Sequence, residues 1–331
     1  MSTINVGNVN TNSVNGGQLA GFRDKIINGA FEVWQRGTSS TVAGFIADRW
    51  RHTPGLGGAM TISRQEFTLG QTDVPGAKYF LRHDQTTAFS NFSYDRQRIE
   101  DVHAFAGDEV TLSWYMKADA ARTVAIDVTQ NFGTGGSPSS DVVTRVGTQA
   151  VTTSWQRYTK TFTVASISGK TLGSNGDSFL EVEFDYDQEV GNTFTIDIAL
   201  VQLELGSTAT PFEQRGIGTE LALCQRYFQR VGFETSQRWY GGRTESTSAS
   251  TFSFAPTTIF RTVPTISKIG AGTVNINDGT VSQTYLSFGT NYSTANHVSI
   301  QINTGATLTN YRMIFVSVSA VDTGLHFDAE L

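Results

Sequence analysis

A chain of 331 residues is longer than one typical domain, and its length sets an expectation of about two. Its net charge of −6 excludes the basic footprint of a non-specific nucleic-acid binder, and no apolar run approaches the roughly 20 residues of a membrane-spanning helix. The single cysteine, Cys224, excludes an internal disulfide and a cysteine-based metal site, while the five histidines lack HxxxH spacing and give zinc no support.

Residues 1–24 are rich in Asn and Gly, with Ile4, Val6, Val9 and Val14 spaced among polar residues. Such a segment cannot bury enough apolar area to fold alone. It is either a free tail or an arm that adds a strand to the sheet edge of another subunit. Residues 1–25 lack a basic start followed by an apolar run, so no secretory signal is expected.

From about residue 26 to 212 the pattern is strand after strand. Val110–Lys117 places Val110, Leu112, Trp114 and Met116 on one face, and Thr123–Thr129 alternates through Val124, Ile126 and Val128. Tyr158–Val164 carries a row of threonines at 159, 161 and 163. Leu180–Asp187 alternates apolar residues with Glu181, Glu183, Asp185 and Asp187. Loops rich in Gly, Ser and Asn part these runs, so antiparallel strands are expected. Phe194–Leu205 changes phase: Phe194, Ile196, Ile198 and Leu200 alternate, then Val201, Leu203 and Leu205 take over. A one-residue shift flips the buried face and predicts a bulge near Leu200.

Residues 219–231 are expected to form the one helix. Leu221, Cys224, Phe228 and Val231 make its apolar stripe, with Thr219 as N-cap and Gly232 as the stop. This places Cys224 on the buried side, as a structural thiol. From about 236 the alternation returns in Phe252/Phe254, Val274/Ile276, Val298/Ile300/Ile302, Ile314/Val316/Val318 and Leu325/Phe327/Ala329/Leu331. Roughly six or seven short strands suggest a second, smaller β-sandwich. No internal repeat or heptad pattern marks a fibre shaft.

Several motifs carry a family resemblance: Ile26–Gly37 (IINGAFEVWQRG), Ala47–Trp50 (ADRW), Ser154–Tyr158 (SWQRY), Ile196–Gly206 (IDIALVQLELG), Thr210–Glu213 (TPFE), Gly216–Phe228 (GIGTELALCQRYF) and Phe327–Leu331 (FDAEL). Together they resemble structural proteins of tailed-bacteriophage particles of the tail-fibre or minor structural type. The jelly-roll module of that group is similar to xylanase-associated carbohydrate-binding modules. The resemblance implies an all-β chain: an N-terminal docking arm (1–25), a jelly-roll β-sandwich (26–215), a short linking helix (216–235) and a smaller C-terminal β-sandwich (236–331). It implies a non-enzymatic virion component, assembled in the host cytoplasm. That component is a compact receptor-binding appendage contacting host-surface glycans, or alternatively a capsid-decoration protein stabilising the shell. The expected partners are other virion proteins, held through residues 1–24 with Ile4, Val6, Val9 and Val14 as anchors, further copies in a homotrimer, and a host polysaccharide.

Aromatic faces stack on the C–H face of a pyranose, which makes Trp34, Trp50, Trp114, Trp155 and Tyr115 candidates. Trp114 shares the apolar face of its strand and is expected in the core. Trp34 and Trp50 lie in the family motifs, where core packing is the common use of an aromatic. Tyr115 shares the polar face of its strand with Lys117. Trp239 and Tyr240, beside Gly241 and Gly242, are expected in a loop, where recognition residues concentrate, and serve there either in recognition or as an inter-subunit contact. The acidic row Glu181, Glu183, Asp185 and Asp187 is read as a solvated face, a calcium or Lys/Arg contact, or, least of all, a glycosidase-like carboxylate pair. No cofactor is required. The resemblance implies a structural calcium with Glu32 and Asp197 at the matching positions, against plain exposure of Asp197. Arg36, Asp48 and Arg49 are candidates for an ion pair fixing the first loop.

Overall fold

A computed structural model describes residues 22–232, 238–270, 272–277, 282–289, 293–304, 308–309, 312–318 and 323–331. The anchors Ile4, Val6, Val9 and Val14 lie outside the described residues. The chain is all-β, with one short α-helix among the described residues, and it divides into two compact units, one running to Glu220 and the other spanning Leu221–Glu330.

The first unit opens with β1 (Ser39–Ser40), β2 (Gly44–Phe45), β3 (Trp50–Thr53), β4 (Ala59–Glu66), β5 (Tyr79–Thr87) and β6 (Tyr94–Glu100). It continues through β7 (Glu109–Ala118), β8 (Arg122–Asn131), β9 (Val142–Val151), β10 (Gln156–Thr163), β11 (Phe179–Asp185) and β12 (Phe194–Leu205). These pair into two six-stranded antiparallel sheets, β1-β4-β5-β12-β7-β10 and β2-β3-β6-β11-β8-β9. The alternating apolar residues of both sheets face one shared core, including Leu112, Trp114 and Met116 of β7, Ile126 of β8, Val182 and Phe184 of β11 and Ile196 of β12. This is a β-sandwich of jelly-roll type.

The phase change in β12 is a bulge. Pairing with β7 slips between Ala199 and Gln202, and Leu200 adopts the left-handed φ of 49°. Val201 and Leu203 thereby join the main core, while Ala199 and Leu200 turn to the outer side.

The motifs at the start and end of this unit meet as a buried polar hub. Asn28 sits at φ 59° and its side-chain amide donates to the carbonyls of Val33 (2.8 Å) and Asp48 (3.1 Å), while its oxygen accepts the Val33 N–H (2.9 Å). Gly29 passes so close to the bulge that a Cβ there would lie 2.0 Å from the Val201 carbonyl oxygen, and the Val201 N–H donates to the Gly29 carbonyl at 3.0 Å. Asp24 accepts the N–H groups of Ile26 (2.9 Å) and Leu203 (3.0 Å). Arg36 and Asp48 approach within 3.9 Å, the loop-fixing pair anticipated above, whereas buried Arg49 donates to the Arg98 carbonyl.

A second polar cluster lies inside the sandwich. His52, His83 and Asp95 are fully or almost fully buried, and both imidazole Nδ1 atoms meet Asp95 Oδ1, at 2.7 Å and 2.8 Å. The Tyr186 hydroxyl donates to Asp95 Oδ2 at 2.6 Å. The Gln85 amide nitrogen donates to the carbonyls of Pro54 (2.8 Å) and Thr87 (2.9 Å), which turns its oxygen towards His83 Nε2 at 3.1 Å. That nitrogen must carry a proton. Burial alone would raise the Asp95 pKa, but the charges and hydrogen bonds of His83 and His52 hold it far below the usual carboxylate range. An ionised Asp95 makes His83 Nδ1 a donor as well, so His83 is an imidazolium. Burial works against that charge, and Asp95 outweighs it, raising the His83 pKa.

Helix α1 (Ile217–Gln225) carries the boundary between the units. It starts two residues before Thr219, with the Gly216 carbonyl accepting the N–H groups of Thr219 and Glu220, so Thr219 is not the cap. It also ends before Phe228. The Tyr227 N–H closes on the Cys224 carbonyl at 3.0 Å, and the chain then becomes β13 (Phe228–Val231), antiparallel to residues 325–328. The spacing of Phe228 and Val231 fits a helix, but strand pairing won. Cys224 is buried as expected.

The second unit continues with β14 (Arg238–Ser246), β15 (Ala249–Phe254), β16 (Thr265–Ile269), β17 (Val274–Asn277) and β18 (Ser282–Gly289). It ends with β19 (Val298–Thr304), β20 (Met313–Val318) and β21 (Gly324–Asp328). Pairing closes six strands into a barrel, β14-β15-β19-β18-β17-β20, accompanied by the three-stranded sheet β13-β21-β16. Phe252, Phe254, Val274, Ile300, Ile314 and Phe327 are among its core residues, so the alternation reports burial correctly as far as Ala329; Leu331 is only half-buried, and the Val318 side chain lies outside what the structure describes. Among the described residues, no helix is long and apolar enough to cross a membrane.

Candidate functional site

The outer face of the sheet β1-β4-β5-β12-β7-β10 carries a second apolar cluster, separate from the core. Phe80, Ala199, Leu200 and Val74 are buried there, with Phe67, Tyr115, Trp155 and Phe212 packed around them. The rings of Phe67, Phe80 and Trp155 sit 4.7 Å, 5.2 Å and 5.3 Å apart in tilted and edge-on contacts. The Lys117 ammonium lies 5.4 Å from the Trp155 ring centre.

This cluster borders a pocket of about 410 Å³, lined among others by Pro75, Tyr115, Arg157, Leu200, Phe212 and Gln214. Local chemistry explains its position. Tyr115 stands in β7 with Ala199 beside it on β12 and Arg157 beside it on β10. Ala199 is too small to fill the space next to the phenol ring, and the bulge throws Leu200 outward to form a wall. The far rim comes from residues 210–214, which fold back over β12. Glu204 accepts both the N–H (2.9 Å) and the hydroxyl (2.7 Å) of Thr210, and the Gln202 oxygen accepts the Glu213 N–H at 2.7 Å. Both anchors are buried, so the TPFE motif is a strap that delivers Phe212 to the pocket.

The other candidate aromatics divide. Trp50 is fully buried, with its indole N–H donating to the Asn28 carbonyl at 3.2 Å and its ring packed on Phe31 and Phe184. Trp34 is 8% exposed and donates to the Phe31 carbonyl at 2.6 Å. Both are core residues and cannot stack on a sugar. Trp114 is in the core as expected. Trp239 and Tyr240 lie on β14, not in a loop, and Trp239 pairs with Val316 in register. The placement of their side chains lies outside what the structure describes.

Asp197 does not present its carboxylate to a cation from solution. It is buried, its oxygens accept Arg82 Nε (2.8 Å) and Nη2 (2.9 Å), and Lys117 Nζ lies 3.6 Å away. Glu32 instead lines a tight crevice with Asp24, Glu213, Arg215 and Glu220. Burial first, and the neighbouring Glu220 second, raise its pKa. The pair does not fit a shared calcium, because guanidinium and ammonium already neutralise Asp197.

The acidic row is neither solvated nor open. Arg96 and Arg98 of β6 hold Glu181 at 3.1 Å and 2.7 Å, and Arg145 of β9 bridges Asp127, Asp185 and Asp187 at 2.7 Å, 3.1 Å and 2.7 Å. Oxygens of Asp127, Glu183 and Asp185 lie within 4.8 Å of one another, the one such grouping among the described residues that could hold a metal. Arg145 and Arg96 occupy that role, with Arg96 3.6 Å from Glu183. Burial, then the charges of Glu181 and Asp185, push the Glu183 pKa up to about 8. Burial, then Asp187 and Asp127, push Asp185 up to about 6. A carboxyl whose folded pKa is raised loses stability as pH rises from its ordinary value, near 4.5 for Glu183, through the folded one. Glu183→Gln should therefore melt with wild type near pH 4 and above it beyond pH ~8. Calorimetric scans across that range check this; parallel curves would assign the titration elsewhere.

No known family model matches the chain, and no curated protein does. Solved structures are similar at low identity. The CBM22-1 xylan-binding domain of Paenibacillus barcinonensis Xyn10C shares 14% identity over 52% of this chain and 94% of its own, with a TM-score of 0.32. The N-terminal cellulose-binding domain of Cellulomonas fimi β-1,4-glucanase C shares 15% over 54% and 100%, with a TM-score of 0.32. The enzymatically active domain of Bacteriophage CBA120 tailspike protein 4 shares 14% over 56% of this chain and 22% of its own, with a TM-score of 0.31.

Proposed function

We propose that this chain is a non-enzymatic structural component of a tailed-phage particle, and that its jelly roll binds a host-surface glycan in the Tyr115–Phe212 pocket. The motifs of the first unit and of the junction after it support the particle role. The observation that carries glycan binding is the pocket itself. Two aromatic side chains, one on a strand and one on a strap fixed by buried hydrogen bonds, line a space of about 410 Å³ together with an arginine and an amide. That is the composition and size of a small-molecule site: mostly apolar walls with a few placed polar groups. Glu181, Asp185 and Asp187 of the acidic row are held by arginines, which weighs against the row as a hydrolytic carboxylate pair.

Glycan-array screening of the purified chain should return ligands, and Tyr115→Ala should weaken them roughly tenfold or more, the loss expected of a central aromatic. Unchanged affinity in that variant would remove the pocket from the proposal. Immunogold labelling of particles with an antibody against residues 236–331 should mark the tail. Label spread over the head would make the protein a capsid decoration.

A further inference from the structure

Many arginines of the first unit are neutralised by carboxylates within the fold. Arg82 pairs with Asp197, Arg96 and Arg98 with Glu181, Arg122 with Asp119 and Glu189, Arg145 with three aspartates, and Arg215 with Glu220. Arg157 differs. Its Nη2 donates to the Ser113 hydroxyl at 3.3 Å and to the Thr210 carbonyl, both neutral, and no carboxylate pairs with it among the described residues. It is also the one charged residue lining the Tyr115 pocket; the remaining lining is Pro, Gly, Tyr, Leu, Phe and Gln. Arg51 and Arg64 also lack a carboxylate partner among the described residues, but of these guanidiniums Arg157 is the one that lines this aromatic cavity.

We infer that the pocket takes an acidic sugar, a pyranose bearing a carboxylate such as a hexuronic or sialic acid unit of a surface polysaccharide. This rests on the glycan-binding reading above and narrows it. The tie to Ser113 and Thr210 holds the guanidinium plane on one side, leaving further N–H donors for a ligand. A guanidinium fork matches a carboxylate in two parallel hydrogen bonds. One cation without a second favours a singly charged carboxylate over a phosphate monoester, which carries about −1.5 to −2 at neutral pH. Tyr115, the direct cross-strand neighbour of Arg157, places an aromatic face beside the charge, so ring and carboxylate of one residue are met together. The Gln214 amide offers both a donor and an acceptor for hydroxyls.

Titration calorimetry on the full chain tests this with trigalacturonate and disialic acid against neutral galactotriose and cellotriose, at low and high salt. At least one acidic probe should bind tenfold or more tightly than every neutral one, and the preference should shrink with salt. Arg157→Gln should abolish the preference, Arg157→Lys should restore part of it, and Tyr115→Ala should weaken acidic and neutral probes alike. Circular dichroism of each variant separates a lost contact from a lost fold. If acidic and neutral probes bind equally and Arg157→Gln changes neither, the acidic-sugar inference is overturned while glycan binding stands. If no saccharide binds the wild-type chain, both readings fall.

Discussion

Asp95→Ala is expected to cost about 3–5 kcal/mol of unfolding free energy, the loss typical of breaking a buried ion pair and stranding its partner. Here the stranded groups are several. His83 loses the counter-charge that makes its second proton tolerable, His52 loses its Nδ1 partner, and the Tyr186 hydroxyl loses its acceptor. The same cluster sets a pH dependence whose sign follows from the two shifts. Asp95 is lowered, so its contribution is present above the ordinary carboxylate range, near 3.9, and is lost as pH falls. His83 is raised, so its contribution is complete below about 6.5 and is lost as pH rises through its higher folded value. The pair therefore stabilises the sandwich most between about pH 4 and 6.5. Asp84 adds a further charge that favours protonated His83. Urea unfolding at pH 6 and pH 9, compared between wild type and His83→Gln, isolates this from the acidic row. The wild-type chain should lose more stability over that interval than the variant; equal losses would contradict the imidazolium assignment.

Trp50→Ala is expected to cost about 3–5 kcal/mol, the range for deleting a fully enclosed large aromatic. The residue lies among the largest buried side chains of the jelly roll, and its loss also leaves the Asn28 carbonyl without its indole donor. Trp50→Phe should recover part of the loss by refilling volume while still lacking the N–H. Denaturant unfolding with near-ultraviolet circular dichroism provides the readout. A variant that unfolds like wild type but loses glycan affinity would return Trp50 to the binding surface and undo its assignment to the core.

The contrast between Trp50 and Tyr115 shows where sequence reading succeeds. Alternation along a strand gives the face of each side chain, so the segment 110–117 placed Trp114 inward and Tyr115 outward correctly. The phase change at Leu200 was legible for the same reason, because a slipped register must show as a broken period. Trp34 and Trp50 lie in or beside irregular segments, where no period reports direction, and the backbone around them turns through left-handed φ at Asn28, Phe31 and Arg49. The acidic row looked solvated because its arginines come from β6 and β9, joined to β11 and β8 only through sheet pairing. The helix was overextended because Phe228 and Val231 suit either period, and the strand that settles the matter lies about 97 residues away, Phe228 facing Asp328 and Val231 facing Leu325. The pocket had no signature at all. Its walls come from separate segments, around residues 75, 115, 157, 200 and 212, that only the finished sandwich brings together.

The polar hub of the first unit also decides how that unit bears a mechanical load. Residues 22–28 are stitched directly to residues 203–220: the Phe22 N–H to Glu213, the Lys25 N–H to the Leu203 carbonyl at 3.0 Å, the Asn28 N–H to Glu220, and Arg215 to the Ile26 carbonyl at 3.1 Å. Tension applied between Phe22 and Glu220 enters and leaves at one spot, so it strains this clasp and, of the twelve strands, loads directly only the end of β12, where Leu203 lies. The sandwich core keeps its shape under such a pull until the clasp opens. After that, the loss of shape is abrupt.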